Sequence, residues 1–177
     1  MIKNYIIALF IGSTALQLEA QSVIDQSKSK IHFEISNMGV RTVEGLFTKM
    51  QGIIDFKQSD LQNSSFDVCI DVSSINTENE KRDEHLKNQD FFYIDSFPNI
   101  CFKSKSIVKD EEGYKVTGDL SMHGVTLELT FPFTYSYSSK YFKAFFELER
   151  LDYKIGEDYG SFTVGKTVEI EILCYLK

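Results

Sequence analysis

Val125-Thr126-Leu127-Glu128-Leu129-Thr130-Phe131-Pro132-Phe133-Thr134 decides the fold class. Val125, Leu127, Leu129, Phe131 and Phe133 take every second position, with Thr126, Glu128, Thr130, Pro132 and Thr134 between them. Successive side chains of an extended chain leave opposite faces, so this run reads as a strand with one apolar and one wet face.

The same period recurs on both sides. Phe142, Ala144, Phe146 and Leu148 alternate with Lys143, Phe145, Glu147 and Glu149, and Val168, Ile170, Ile172 and Cys174 alternate mainly with glutamates. Towards the N-terminus, Ile31, Phe33 and Ile35, then Phe66, Val68 and Ile70, repeat it. Asn37-Met38-Gly39, Glu112-Gly113, His123-Gly124 and Ser138-Ser139-Lys140 are turn signals. Connections this short favour antiparallel neighbours, since a parallel crossover needs about a dozen residues or more. Gly45 and Gly52 interrupt the extended stretch 40–56, which marks a bulge or a sharp coil.

One segment departs from the period. Thr77-Glu78-Asn79-Glu80 fits a capping box with Thr77 at the N-cap, and a short polar helix over about 80–90 follows. Phe91, Phe92 and Phe97 would pin it to the sheet, and Pro98 opens the next strand. The expectation is an all-β fold, a closed antiparallel barrel of about eight strands with one short helix. Closure removes exposed edges and leaves an apolar lumen, and eight strands give room for one small ligand. A two-sheet sandwich satisfies the same alternation.

The 177 residues suffice for one domain, and 42% hydrophobic with 25% charged is a globular balance. Fifteen Phe and nine Tyr without Trp lean towards sheet. Residues 1–20 read as a signal peptide: Lys3 is the positive start, 6–18 are mostly apolar, and Leu18-Glu19-Ala20 ends at a small residue. The expected mature domain is therefore 21–177, exported to a periplasm or secreted. No cysteine follows the apolar stretch, which argues against a lipid-anchored mature end. A net charge of −7 repels phosphate backbones, so nucleic acid is not an expected partner.

Cys69 and Cys101 sit on the wet phase of their strands and would pair were those strands neighbours; Cys174 sits on the apolar phase and reads as a buried small hydrophobe. His32, His85 and His123 lack the spacings of common zinc sites, and no metal or other cofactor is expected. Arg82-Asp83-Glu84-His85 holds an Asp–His pair that would orient an imidazole as a base. No serine or cysteine nucleophile stands in a recognisable setting beside it. The structural alternative is a helix closing one barrel end, with Arg82 and Asp83 bonded to loops. Arg150 continues the inward phase of Phe142 to Leu148, so it needs a partner: Asp152 on the same phase, or an anionic ligand head group.

Arg82-Asp83-Glu84-His85-Leu86 running to Asp90-Phe91-Phe92, Phe97-Pro98-Asn99-Ile100-Cys101-Phe102-Lys103-Ser104, and Gly118-Asp119-Leu120-Ser121-Met122-His123-Gly124-Val125-Thr126 resemble blocks of the YceI-like family. Val43-Glu44-Gly45-Leu46-Phe47, Ser74-Ile75-Asn76-Thr77 and Arg150-Leu151-Asp152-Tyr153 add weaker support. The resemblance implies an exported, lipocalin-like barrel whose lumen holds a polyisoprenoid or other long amphiphilic lipid, and no catalytic residue. On that reading Phe33, Ile35, Phe47, Phe56, Phe102, Leu120, Leu127, Leu129, Phe131, Phe146 and Leu148 line the lumen. Arg82, Asp83, His85, His123 and Arg150 stand at the head group or mouth, and transient membrane contact is a further partner expectation. Two positions depart from the family: Asn37, where many relatives carry a basic residue or histidine, and Lys154, where glycine is usual. Two rival readings remain at this level. One is an enzyme on a small amphiphile using His85 and Asp83; the other is a barrel filled by its own aromatics, with no ligand.

Overall fold

The computed structural model describes residues 22–177, so the expected leader lies outside the described residues. The strands are β1 (Ser22–Val23), β2 (Lys30–Asn37), β3 (Arg41–Phe47), β4 (Met50–Asp55), β5 (Ser65–Asp71), β6 (Asn99–Asp110), β7 (Gly113–Met122), β8 (Val125–Ser136), β9 (Tyr141–Glu149) and β10 (Val164–Tyr175). One helix, α1, spans Glu80–Leu86. All strands join one antiparallel 10-stranded sheet in the order β1-β4-β5-β6-β7-β8-β9-β10-β2-β3.

The strand count exceeds the expected eight or so because 40–56 is divided in two and the two-residue β1 joins the sheet. β3 pairs with β2 while β4 pairs with β5, so the chain changes partner at Thr48-Lys49. β3, at one end of the strand order, and β4, next to its other end, are thus one continuous piece of chain, and the sheet curls back on itself. A full ladder does not close the ring. Short bridges do: Leu46 and Asn76 exchange backbone hydrogen bonds of 2.9 and 3.0 Å, and the Asp25 N–H donates to the Tyr175 carbonyl at 2.8 Å. Gly52 carries the coil at φ 139, where a Cβ would lie 2.1 Å from the Asp67 carbonyl oxygen. Gly45 serves differently, because a Cβ there would meet the Phe33 ring at 2.3 Å.

A second irregularity lies between β8 and β9. Their ladder covers only Phe133 to Ser136 against Tyr141 to Ala144, and the strands part beyond it. Pro132, which has no N–H to give to a ladder, stands where the pairing stops.

The interior has two halves. In one, the Phe56 ring packs against Phe66, Tyr114, Phe133, Tyr135 and Phe142 at centroid distances of 5.0–6.1 Å. Ile107 and Val116 are buried beside this plug. The other half is capped by α1, the segment after it, and the loop 150–163. Phe91 is buried with Leu120, Met122, Tyr153 and Ile155, and Phe92 meets Phe47 edge-on at 5.8 Å.

The helix begins two residues later than the capping-box reading. Asn79 is the N-cap, its side chain accepting from the Arg82 N–H at 3.1 Å, and Glu80 is the first helical residue. Thr77 is buried and bonds to Asp83 instead. Lys154 takes φ 59, the left-handed conformation a glycine adopts without strain, so the turn keeps a glycine-like backbone.

Candidate ligand-binding cavity

The capped half encloses a cavity of about 410 Å³, within the range of small-molecule sites. Phe66, Phe133 and Phe142, the upper face of the aromatic plug, form its floor. Its walls include Phe33, Ile35, Phe47, Phe102, Leu120, Leu129, Phe131, Phe146 and Leu148, all expected at the lumen. The Phe131 and Phe146 rings stack at 4.5 Å across the parting of β8 and β9.

Two expected lumen residues are elsewhere. Phe56 is the centre of the plug, so it fills the barrel rather than lining the cavity. Leu127 pairs in register with Leu120 but is 39% exposed, because β9 has left its side. Lining residues the sequence reading passed over include Met50, Ile54, Val168, Ile170 and Ile172. The last three lay in plain alternation on β10; only their register against β2 and β9 was missing.

The polar lining residues Asn37, Arg82, His85, Arg150, Tyr159 and Thr163 gather at the capped end. Arg82 and Asp83 tie α1 to the chain before it. Arg82 Nε donates to Thr77 Oγ1 at 2.8 Å and Nη2 to the Thr77 carbonyl at 2.6 Å. Asp83 Oδ1 accepts from the Thr77 N–H at 2.9 Å and from the Thr77 hydroxyl. Asp83 therefore does not orient His85. The imidazole's partners are Asp90 Oδ2 at 2.9 Å and the Tyr159 hydroxyl at 3.0 Å, and that hydroxyl donates to Asp90 at 2.8 Å. Hydrogen bonds from His85 first, then Tyr159, hold the Asp90 carboxyl below its ordinary pKa. The same contact with Asp90 raises the Tyr159 phenol. The trio clasps the segment after α1 to the loop 150–163, and Phe91 against Tyr159 at 4.9 Å continues the contact in apolar form.

Arg150 is buried at 4% exposure, but neither expected partner holds it. It opens a 3-10 turn, Arg150–Tyr153, and gives all its donors to backbone carbonyls. Nε bonds to Gly165 at 2.8 Å, Nη1 to Ile155 and Gly156 at 2.6 Å each, and Nη2 to Tyr159 at 2.8 Å and Val164 at 2.9 Å. Asp152 makes none of these bonds, and no donor is left for a ligand head group. Burial lowers the guanidinium pKa. The loop 150–163 is in effect wrapped around one cation.

His123 stands apart from the cavity lining. It takes φ 51 at the β7–β8 turn, and its Nδ1 bonds to the Tyr153 carbonyl at 3.1 Å while the ring packs on Phe97. His32 faces Glu34 and Glu44 on the wet surface. Among the described residues no group of three or more His, Cys, Asp or Glu is placed to hold a metal. Cys69 and Cys101 are register partners on β5 and β6 and form a disulfide. Cys174 is a free, buried thiol, pushed up to a pKa of about 12 by desolvation.

Residues 23–175 match the YceI-like domain. The UPF0312 protein SA2479 of Staphylococcus aureus is 37% identical over 116 residues, 66% of this chain and 66% of that protein. A UPF0312 protein of Vibrio parahaemolyticus, VPA0850, is 33% identical over 122 residues, 66% of this chain and 65% of its own length. Among solved structures, Burkholderia cenocepacia BcnA superposes with a TM-score of 0.78 at 24% identity, covering 85% of this chain and 98% of BcnA. The Campylobacter jejuni YCEI protein gives 0.67 at 23% identity over 99% of both chains. A polyisoprenoid binding domain from Saccharophagus degradans gives 0.66 at 14% identity, covering 88% of this chain and 97% of that domain. At these identities the superpositions speak for the fold.

Proposed function

The chain belongs to the YceI-like family, and from that premise we propose that it carries or stores a long-chain amphiphile, a polyisoprenoid or similar lipid, in the periplasm or outside the cell. One observation carries the reading: an apolar cavity of about 410 Å³ whose polar lining is gathered at one end. A site graded in this way suits a molecule with an apolar tail and a polar head. The binding domain from Saccharophagus degradans, with the same fold, supports the choice of ligand class.

The energetics favour exchange over permanent capture. Burial from water is worth roughly 0.8 kcal/mol per methylene, so tens of carbons would pass the practical affinity ceiling of about 18 to 21 kcal/mol. Such a lipid starts in a membrane, and moving its tail between two apolar places gains little. Affinity then rests on shape and on head contacts at Asn37, His85, Tyr159 and Thr163, whereas Arg150 is fully engaged with backbone. An enzyme built on His85 and Asp83 fits the site less well, because Asp83 is bonded to Thr77 and His85 to Asp90 and Tyr159.

The test is organic extraction and mass spectrometry of protein purified without detergent from an export-competent bacterium. One dominant long amphiphile near stoichiometric amount is expected, with less from Leu148→Trp, which intrudes into the cavity. His85→Ala, which removes one of several head contacts, should lower occupancy without abolishing binding. A wild-type protein that is empty, and stays empty after incubation with isoprenoid lipids, overturns the proposal.

A further inference from the structure

Large apolar side chains stand exposed beside the cavity. The β2–β3 turn and the loop 150–163 meet there, with the Met38 N–H donating to the Thr163 carbonyl at 3.2 Å. Val40 is 87% exposed, Phe162 72% and Met38 49%. A Cβ on Gly39, between Met38 and Val40, would meet the Phe162 ring at 3.0 Å, so the two loop tips lie together. The residues beside them, Asn37 and Thr163, line the cavity. The patch is therefore the rim of the site.

The turn is costly for what it displays. Met38 and Gly39 take φ 53 and φ 66, with the Val40 N–H returning to the Asn37 carbonyl at 3.3 Å. Asn or Gly occupies the first of these left-handed positions with least strain. A methionine there holds an apolar side chain outward at the tip of a hairpin, where solubility alone would favour a polar one.

We propose that Met38, Val40 and Phe162 dock the mouth onto a lipid bilayer. Two adjoining loop tips hold three exposed apolar side chains beside residues that line the cavity. Such tips are suited to entering an interface. The choice of a bilayer also rests on the proposed ligand, because a tail that crossed water from membrane to mouth would expose every methylene. Electrostatics set the kind of surface. The turn is followed by one cation, Arg41, the facing loop carries Asp152, Glu157 and Asp158 against Lys154 besides the buried Arg150, and the chain has net charge −7. Docking is thus apolar, favours zwitterionic lipid and is weakened by anionic lipid.

Flotation of the purified protein with phosphatidylcholine vesicles, with and without phosphatidylglycerol, tests this. Wild-type protein should float with phosphatidylcholine whatever the salt, and less so with phosphatidylglycerol added, a loss that salt should reduce. The double variant Val40→Ser/Phe162→Ser should lose roughly tenfold or more in partitioning while keeping its melting temperature, since both side chains are exposed. Ile53→Ser and Val108→Ser, exposed apolar positions elsewhere on the barrel, should float as wild type. The Leu148→Trp protein, with its narrowed cavity, should also float, which separates docking from ligand binding. Wild-type protein that does not float, or a rim variant that floats equally well, overturns the proposal even if lipid co-purifies. A concentration-dependent dimer abolished by the same double substitution, without vesicle binding, overturns it in favour of a second copy of the chain.

Discussion

The Tyr159 hydroxyl donates to Asp90 Oδ2 at 2.8 Å, joining two segments 69 residues apart over the end of the cavity. His85 Nε2 shares the same carboxylate oxygen at 2.9 Å. Asp90 has a folded pKa below its ordinary value, so its contribution is full well above the unfolded value of about 3.9 and is lost as pH falls through the folded value. Thermal melts of wild type and Asp90→Asn should differ by a constant amount near neutrality and converge in acid. Tyr159 has the opposite sign: its raised pKa gives a contribution present below about pH 10 and lost as pH climbs through the folded value. A gap between wild type and Asp90→Asn that persists to the acid limit would show that the clasp does not depend on the carboxylate charge.

The sequence shows why Asp83 is the wrong partner for His85. Residues two apart on a helix do not face each other, so Asp83 and His85 of α1 point to different neighbours. Asp90 was visible in the same motif block, but its return to His85 depends on a turn after the helix, which no periodicity encodes. Arg150 divides in the same way. Its inward phase followed correctly from Phe142, Ala144, Phe146 and Leu148, whereas its partners are carbonyls of an irregular loop that leave no trace in residue type. Alternation placed most of the cavity wall. It could not show that Phe56 fills the barrel, because packed and lining aromatics share one pattern.

Replacing Arg150 should cost more than any other single change at the capped end. Arg150→Met removes the donors of five buried or part-buried hydrogen bonds and leaves the carbonyls of Ile155, Gly156, Tyr159, Val164 and Gly165 short of partners. Unsatisfied buried groups cost about 1–3 kcal/mol each, and with partial relaxation the total is roughly 3–5 kcal/mol. Urea titration of the variant measures it. Arg150→Lys should rescue little, since an ammonium cannot span the fork of a guanidinium. Near-complete rescue by lysine would show that charge alone holds the loop.

The cysteines should behave as two populations. The Cys69–Cys101 bridge closes a loop with a sequence separation of 32 that contains α1 and its pinning segment. By loop entropy its loss costs about 3–4 kcal/mol, read as a lower melting temperature for Cys69→Ser/Cys101→Ser. Cys174, buried and pushed up to about 12, should resist alkylation near neutral pH until the barrel unfolds. Rapid labelling of native protein at Cys174 would mean that the cavity floor opens to solvent.

The parting of β8 and β9 should be the mobile part of the wall. Beyond Phe133 and Ala144 the strands share no ladder, Pro132 offers no donor, and the Phe131–Phe146 stack bridges the gap from within. Backbone paired on one side only, as 145–149 is with β10, opens at lower free energy than backbone laddered on both sides. Peptides from 145–149 should therefore exchange their amide hydrogens faster than peptides from 141–144. Pro132→Val restores a donor at the end of the ladder. If the split originates there, the variant should slow exchange over 145–149 and slow the release of a bound fluorescent lipid. If exchange is unchanged, the strands are held apart by the Arg150 turn that ends β9 rather than by the proline. Arg150→Met should then be the variant that lets them close.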